Sequence, residues 1–192
     1  DQTITADVVV LDNPTVFNRL GAQNPNWITY ALKRDVVDRS SQVPCSQTVC
    51  TAGNVELRPD KRPRPLVVRS VAGACLNVIF TNLLADNANP NNAQQDNLFN
   101  DDQVADRCAS FHAQGAELLG TIASDGSMVG NNPGASTAAR DCGSGGLVGP
   151  GATITYSLYT PHEGTFTVNS YGATIGSEAS SGNLGLGMFA QL

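Results

Sequence analysis

The segments Leu66-Val-Val-Arg-Ser70 and Cys75-Leu-Asn-Val-Ile-Phe-Thr81 indicate the fold most strongly. Apolar and β-branched residues dominate both, and in the second segment every other residue is large and apolar (Leu76, Val78, Phe80). Alternation with a period of two is typical of a strand that buries one face. Small residues separate the two segments, so we expect two consecutive strands.

Strand patterns continue on both sides of this pair. A β-branched run ends at a turn near residue 12. The predicted strands are Ile4–Leu11, Trp27–Val37, Cys108–Gly115, Glu117–Ala123, Ala152–Tyr159, Gly164–Tyr171 and Leu184–Leu192. The turn residues 160–163 predict a hairpin between the strands that flank them. About eight short strands with Gly-rich and Pro-rich joints predict an all-β fold, a Greek-key β-sandwich with long loops such as residues 85–107.

The 192 residues are interpreted as one domain with two parts. Residues 1–56 are expected to supply N-terminal strands and a disulfide-pinned excursion that pack on the sandwich, and residues 57–192 its core. The chain stops within the apolar run Met188–Leu192, a pattern expected of a piece of a longer protein, and whether it is one stays open.

Charge and hydropathy argue against two classes of partner. The formal net charge is −6, which disfavours binding to nucleic-acid phosphates. No apolar run approaches the roughly 20 residues of a spanning helix, so we expect no membrane insertion.

Five cysteines favour an oxidising compartment, which means a secreted, periplasmic or cell-surface protein. Cys45 and Cys50 enclose a four-residue loop and are the predicted disulfide. Cys75, Cys108 and Cys142 can form only one further bridge, and the sequence does not show which two residues pair.

Several blocks, in order along the chain, carry a resemblance to a known family. They are Arg64–Leu83, Ala109–Gly115, Gly149–Tyr159, Glu163–Ser170 and Gly185–Ala190. Together they resemble the cupredoxin domains of multicopper oxidases over most of the chain from Leu57 onward. The opening stretch, residues 8–37 with Asn18-Arg-Leu-Gly21, looks like the start of large bacterial multicopper oxidase-like proteins. The resemblance implies an N-terminal, cupredoxin-like domain whose partners are other cupredoxin domains of the same or an associated chain.

The same resemblance implies where copper ligands would stand. The first domain of that family usually carries two His-x-His pairs, because alternate strand residues point to one face and can hold adjacent metals. The first pair aligns with His112-Ala-Gln114, and the second falls within Thr167–Tyr171, which contains no histidine. The resemblance therefore implies no complete copper site and no catalytic residue in this chain alone, and leaves copper to other domains of the parent protein.

The residue types suggest two smaller metal sites. A type 1 copper site would need His112, Cys142, His162 and Met188, which are too far apart in sequence for its short ligand loop. His112 and His162 could instead share a single metal ion if folding brings them together. The alternative is a half-buried strand histidine bonded to the backbone at 112 and a turn residue beside Glu163 at 162.

The sequence leaves three functions open. The first is a structural or interdomain role for a copper-poor cupredoxin-like domain. The second is membership of an active multicopper oxidase that oxidises metal ions or phenols with dioxygen and holds copper in other domains. The third is a β-sandwich subunit of a surface assembly or filament.

Overall fold

The computed structural model of the protein describes residues 2–24, 27–85, 107–127, 142, 146–172 and 182–192, and most of their regular structure is β-strand. The strands are β1 (Thr3–Asp12), β2 (Thr15–Val16), β3 (Gln23–Asn24), β4 (Ile28–Leu32), β5 (Val36–Asp38), β6 (Val55–Leu57), β7 (Leu66–Val67), β8 (Ala74–Asn82), β9 (His112–Ala113), β10 (Glu117–Leu118), β11 (Thr153–Thr160), β12 (Thr167–Asn169) and β13 (Phe189–Gln191). Short 3-10 turns span Lys33–Asp35 and Ile122–Asp125, and one turn of α-helix spans Gly182–Gly185. The all-β fold class predicted from the sequence is confirmed.

Two sheets form the sandwich. The first has the strand order β10-β11-β8-β1-β4, with β1 and β8 parallel and the other pairs antiparallel. The second has the order β7-β13-β12-β9, with β7 and β13 parallel. Small two-stranded pairs, β2-β3 and β5-β6, lie outside these sheets.

The main core lies between the two sheets, as the alternation along β8 predicts. Leu76, Val78 and Phe80 of the first sheet are fully buried in the same apolar cluster as Val168 and Ala190 of the second. Burying a side chain of this size contributes roughly 1.5–3 kcal/mol, so both sheets are held by their inward faces.

The second half of β1, Val8–Leu11, is buried on both faces, which explains its unbroken apolar run. Val8 and Val10 belong to the main core, whereas Val9 and Leu11 pack in a second cluster that contains Cys45. A strand in the middle of a sheet that is covered on both sides has no polar face to alternate with. The N-terminal strands β1 and β4 are thus members of the first sheet.

The predicted hairpin between the strands at 152–159 and 164–171 is wrong. β11 pairs with β8 in the first sheet, and β12 pairs with β9 and β13 in the second. The Thr160 hydroxyl donates to the carbonyl oxygen of Val71 at 2.9 Å, which anchors the end of β11 beside the turn that leads into β8. Residues 161–166 therefore cross from one sheet to the other.

Both disulfides link segments that lie outside the central strands. Cys45 is joined to Cys50, and Cys108 to Cys142, with Cα–Cα distances of 5.5 and 5.6 Å. Cys75, on β8, carries a free thiol. The segment 86–106, most of the predicted long loop, lies outside the described residues. No helix in the described part of the chain is long and apolar enough to cross a membrane.

Two buried tyrosines link the sheets to neighbouring loops. The Tyr30 hydroxyl donates to the carbonyl oxygen of Ser110 at 2.5 Å, and the Tyr156 hydroxyl donates to that of Gly146. Burial raises the pKa of both phenols above the ordinary value, because the low-dielectric core disfavours the phenolate. Each tyrosine is therefore held neutral in the folded protein.

Stability is expected to fall as the pH rises above about 10. The unfolded chain loses the two phenol protons there while the folded chain keeps them, so the free energy of unfolding should drop by about 2.7 kcal/mol per pH unit. Urea denaturation between pH 8 and 11 measures this slope, and Tyr30→Phe should roughly halve it. A free energy of unfolding that stays constant across this range would contradict the assignment.

Candidate functional site

The two segments that the resemblance aligns with the family's metal ligands lie on neighbouring strands. β9 pairs antiparallel with β12, so that His112 is opposite Asn169 and Ala113 is opposite Val168. Ala113 and Val168 are buried in the core. By strand alternation, His112, Gln114 and Asn169 then share the outer face of the second sheet. The two positions implied by the resemblance are brought together here.

The side chains on this face are paired with one another. Gln114 Nε2 donates to Asn169 Oδ1 at 3.2 Å. The His112 ring packs edge-on against Tyr171, with ring centroids 4.9 Å apart. A glutamine, an asparagine and a tyrosine thus surround the one histidine of the face.

The other side of the His112 ring is held by a turn. His112 Nδ1 lies 2.6 Å from the backbone oxygen of Asp125 and 3.5 Å from its Oδ1. A carbonyl oxygen only accepts, so Nδ1 carries the proton and Nε2 of the neutral ring keeps its lone pair. Histidine ligands of metals are commonly oriented by such a bond.

Gly126 allows the turn to approach β9 this closely. It ends the 3-10 turn Ile122–Asp125 with φ 70°, in the left-handed region that favours glycine. A Cβ atom at this position would lie 2.8 Å from the carbonyl oxygen of Phe111. The sequence Asp-Gly at 125–126 marks a turn, but it does not show that the turn would meet His112.

His162 lies elsewhere, in the crossing between β11 and β12. It is exposed and lines a shallow cavity of about 190 Å³ with Thr160, Glu163 and Leu192. No hydrogen bond or ion pair connects His162 to His112 in the described ranges. Within those ranges, no three His, Cys, Asp or Glu side chains are grouped so that they could hold a metal ion.

The residue types of a type 1 copper site are not brought together either. The sulfur of Cys142 is bonded to Cys108 and offers no thiolate. Met188 is fully buried in the core between the sheets.

An apolar patch adjoins the His112 face. Phe189 on β13 is opposite Asn169, so it lies on the same outer face. Trp27 packs edge-on against both Phe189 and Phe17, with centroid distances of 6.3 and 6.0 Å. Val16 and Phe17, in the hairpin formed by β2 and β3, are 65% and 58% exposed. We call Val16, Phe17, Trp27 and Phe189 the outer patch.

Comparison with solved structures found similarity to two multicopper oxidases. It is similar along its whole length to the multi-copper oxidase from Pseudomonas thermotolerans, with 19% sequence identity and a TM-score of 0.46. It is also similar over 99% of its length to Fet3p, a multicopper oxidase that functions in iron import, with 12% identity and a TM-score of 0.43. The chain spans 29% and 22% of the lengths of those two proteins. No protein-family model and no curated protein sequence matches it.

Proposed function

We propose that this chain is a copper-poor, Greek-key cupredoxin-like domain, the N-terminal one, of an extracytoplasmic multicopper oxidase-like protein. Its role is to pack against other cupredoxin domains of the same or an associated chain. It holds no complete copper site of its own, and any oxidation of metal ions or phenols belongs to copper in those other domains. The proposal rests on the sequence blocks that resemble the family and on the outer face of the second sheet.

The single observation that carries the proposal is the pairing at the His112 face. The positions where the resemblance places two His-x-His pairs are adjacent in space, yet they hold one histidine. Gln114 and Asn169 are joined by a hydrogen bond. An amide pair is a poor copper ligand set compared with imidazoles, which suit copper. The face supports a packing role better than a metal-binding role.

The outer patch supports an interdomain interface. Aromatic residues are enriched at protein interfaces, where they bury a large area with few rotatable bonds. Here Phe17 is largely exposed and packs on Trp27, and Trp27 packs on Phe189, which lies on the face that carries His112. A second domain seated on this face would cover the patch and the histidine together.

The two disulfides support a secreted, periplasmic or cell-surface location. Disulfides persist in oxidising compartments and are rare in the cytosol. Cys45–Cys50 and Cys108–Cys142 use four of the five cysteines. The remaining thiol, Cys75, lies on β8.

One observation favours a second candidate function, in which His112 contributes to metal binding. Because the Asp125 carbonyl holds the His112 proton on Nδ1, Nε2 is free to coordinate a metal ion from a neighbouring domain. In that second candidate, His112 is a single ligand contributed to a copper ion that partner domains hold.

Copper retention by the purified chain tests the proposal. We expect no stoichiometric copper after incubation and dialysis, because a lone histidine gives no chelate. Visible and electron paramagnetic resonance spectra identify any copper that remains, and His112→Gln and His162→Gln are the control variants. One tightly bound copper per chain, lost in either variant, would contradict the proposal.

A further inference from the structure

A cleft opens at one edge of the sandwich. It has a volume of about 820 Å³ and lies between β4, the outermost described strand of the first sheet, and β7, the outermost described strand of the second. Residues 60–65, which connect β6 to β7, form another wall. β7 and β9 are at opposite ends of the second sheet, so the cleft is separate from the His112 face.

The cleft is basic in an acidic protein. Five of the 11 Lys and Arg residues lie between positions 58 and 69, where Asp60 is the only acidic residue, although the whole chain has a net charge of −6. Arg62, Arg64 and Arg69 line the cleft and are exposed. The positive charge is therefore concentrated at this edge.

Most of this charge is not neutralised within the protein. Lys61 is paired with Asp35 at 3.3 Å, whereas Arg62, Arg64 and Arg69 make no hydrogen bond or ion pair with any residue that the structure describes. Like charges that share a cleft repel one another unless a counter-charge is supplied. The two carboxylates of the cleft, Asp35 and Asp60, are paired with Lys61 and Arg58. The three guanidinium groups therefore face a common space without a described counter-charge of their own.

The local sequence keeps the wall of the cleft extended. Pro63 and Pro65 alternate with Arg62 and Arg64, and residues before proline avoid the helical region. An extended wall holds its arginines in a row and costs little conformational entropy when a ligand binds, because proline is already restricted.

We infer that this cleft binds an extended acidic polypeptide segment of a neighbouring domain or chain. Guanidinium groups match carboxylates in shape and donate two parallel hydrogen bonds to each. β4 and β7, as outermost strands, offer backbone groups to which an extended peptide can add, and a polysaccharide makes no such strand pairing. The inference rests on the proposed interdomain role and names the chemistry of one partner segment.

A fluorescein-labelled decaglutamate peptide is the probe, and fluorescence anisotropy is the measurement. We expect binding at about 0.05 M salt that weakens strongly near 0.5 M, because salt screens exposed charges. Arg62→Gln/Arg64→Gln should weaken binding about tenfold or more. Arg19→Gln/Arg34→Gln removes the same charge outside the cleft and should change binding less than twofold.

Three outcomes would overturn the inference. Equal loss in the two double variants would mean that only net charge matters. Tighter binding of a heparin-derived oligosaccharide than of decaglutamate would assign the cleft to sulfated polysaccharides. No binding of decaglutamate to the unmodified chain would leave the arginines without this ligand. Copper uptake by the chain would instead contradict the proposed function, and the arginine variants should leave copper retention unchanged.

Discussion

Replacing Asn82 by leucine is expected to lower the free energy of unfolding by about 3 kcal/mol. Asn82 is fully buried at the end of β8. Its Nδ2 donates to the carbonyl oxygens of Arg107 and Val148, both at 2.8 Å, and its Oδ1 accepts from the backbone N–H of Leu84 at 3.0 Å. One side chain thus ties β8 to the segments before β9 and β11.

The loss of stability arises from the backbone groups that would lose their hydrogen-bond partner when leucine replaces Asn82. Val148 O keeps a second hydrogen bond, from the backbone N–H of Ala109. Arg107 O and Leu84 N–H would lose the side-chain partner that the structure gives them. A buried polar group without a partner costs about 1–3 kcal/mol, and two such groups give the expected total.

Asn77→Leu is the matched control for this prediction. Asn77 is on the same strand, is only partly buried, and makes no side-chain hydrogen bond with a described residue. Its replacement should change the free energy of unfolding by less than about 1 kcal/mol. Urea denaturation monitored by tryptophan fluorescence measures both variants, and equal losses would show that the Asn82 contacts contribute little.

The strands with clear local patterns could be predicted from the sequence. Alternation at Leu76, Val78 and Phe80 indicates a half-buried strand, and β8 spans it. The run at Val8–Leu11 also predicts a strand, although only the second apolar cluster explains why both of its faces are buried. Local patterns are informative here because the pleat fixes which residues share a face.

Pairing partners could not be predicted in the same way. The turn residues at 160–163 are as compatible with a crossing between sheets as with a hairpin, because a turn does not specify the strand that follows. β11 pairs with β8 and not with β12, and this choice of partner depends on core packing between residues far apart in sequence.

The candidate site, too, could be predicted from the sequence only in part. The resemblance selected positions 112–114 and 167–171, and these are adjacent. It could not show that Asp125 would orient His112, or that Tyr171 would pack on its ring. Both contacts join residues that are far apart in sequence, and a local sequence pattern does not predict which distant residues will meet.

The double substitution Gln114→His/Asn169→His is expected to raise the affinity for Cu²⁺ by about a hundredfold. Directly opposed residues in an antiparallel pair have Cβ atoms about 4.5–5.5 Å apart, so an imidazole at 169 would face His112. The side-chain ends at 114 and 169 already approach to 3.2 Å. Two ligands of one metal ion at about 2.0 Å lie at a similar separation.

Chelation is the physical reason for the size of this effect. One histidine binds copper weakly, whereas three on one face bind as a unit because the first contact holds the ion beside the others. His112 Nε2 is available for this, since the Asp125 carbonyl holds the proton on Nδ1.

Calorimetric titration with CuCl₂ measures the affinity. Gln191→His adds an exposed histidine on β13, opposite Thr167 and away from His112, and should leave the affinity near that of the unmodified chain. Equal copper affinity of Gln191→His and the double variant would contradict this prediction. It would mean that the side chains at 112, 114 and 169 are not arranged to hold one metal ion together.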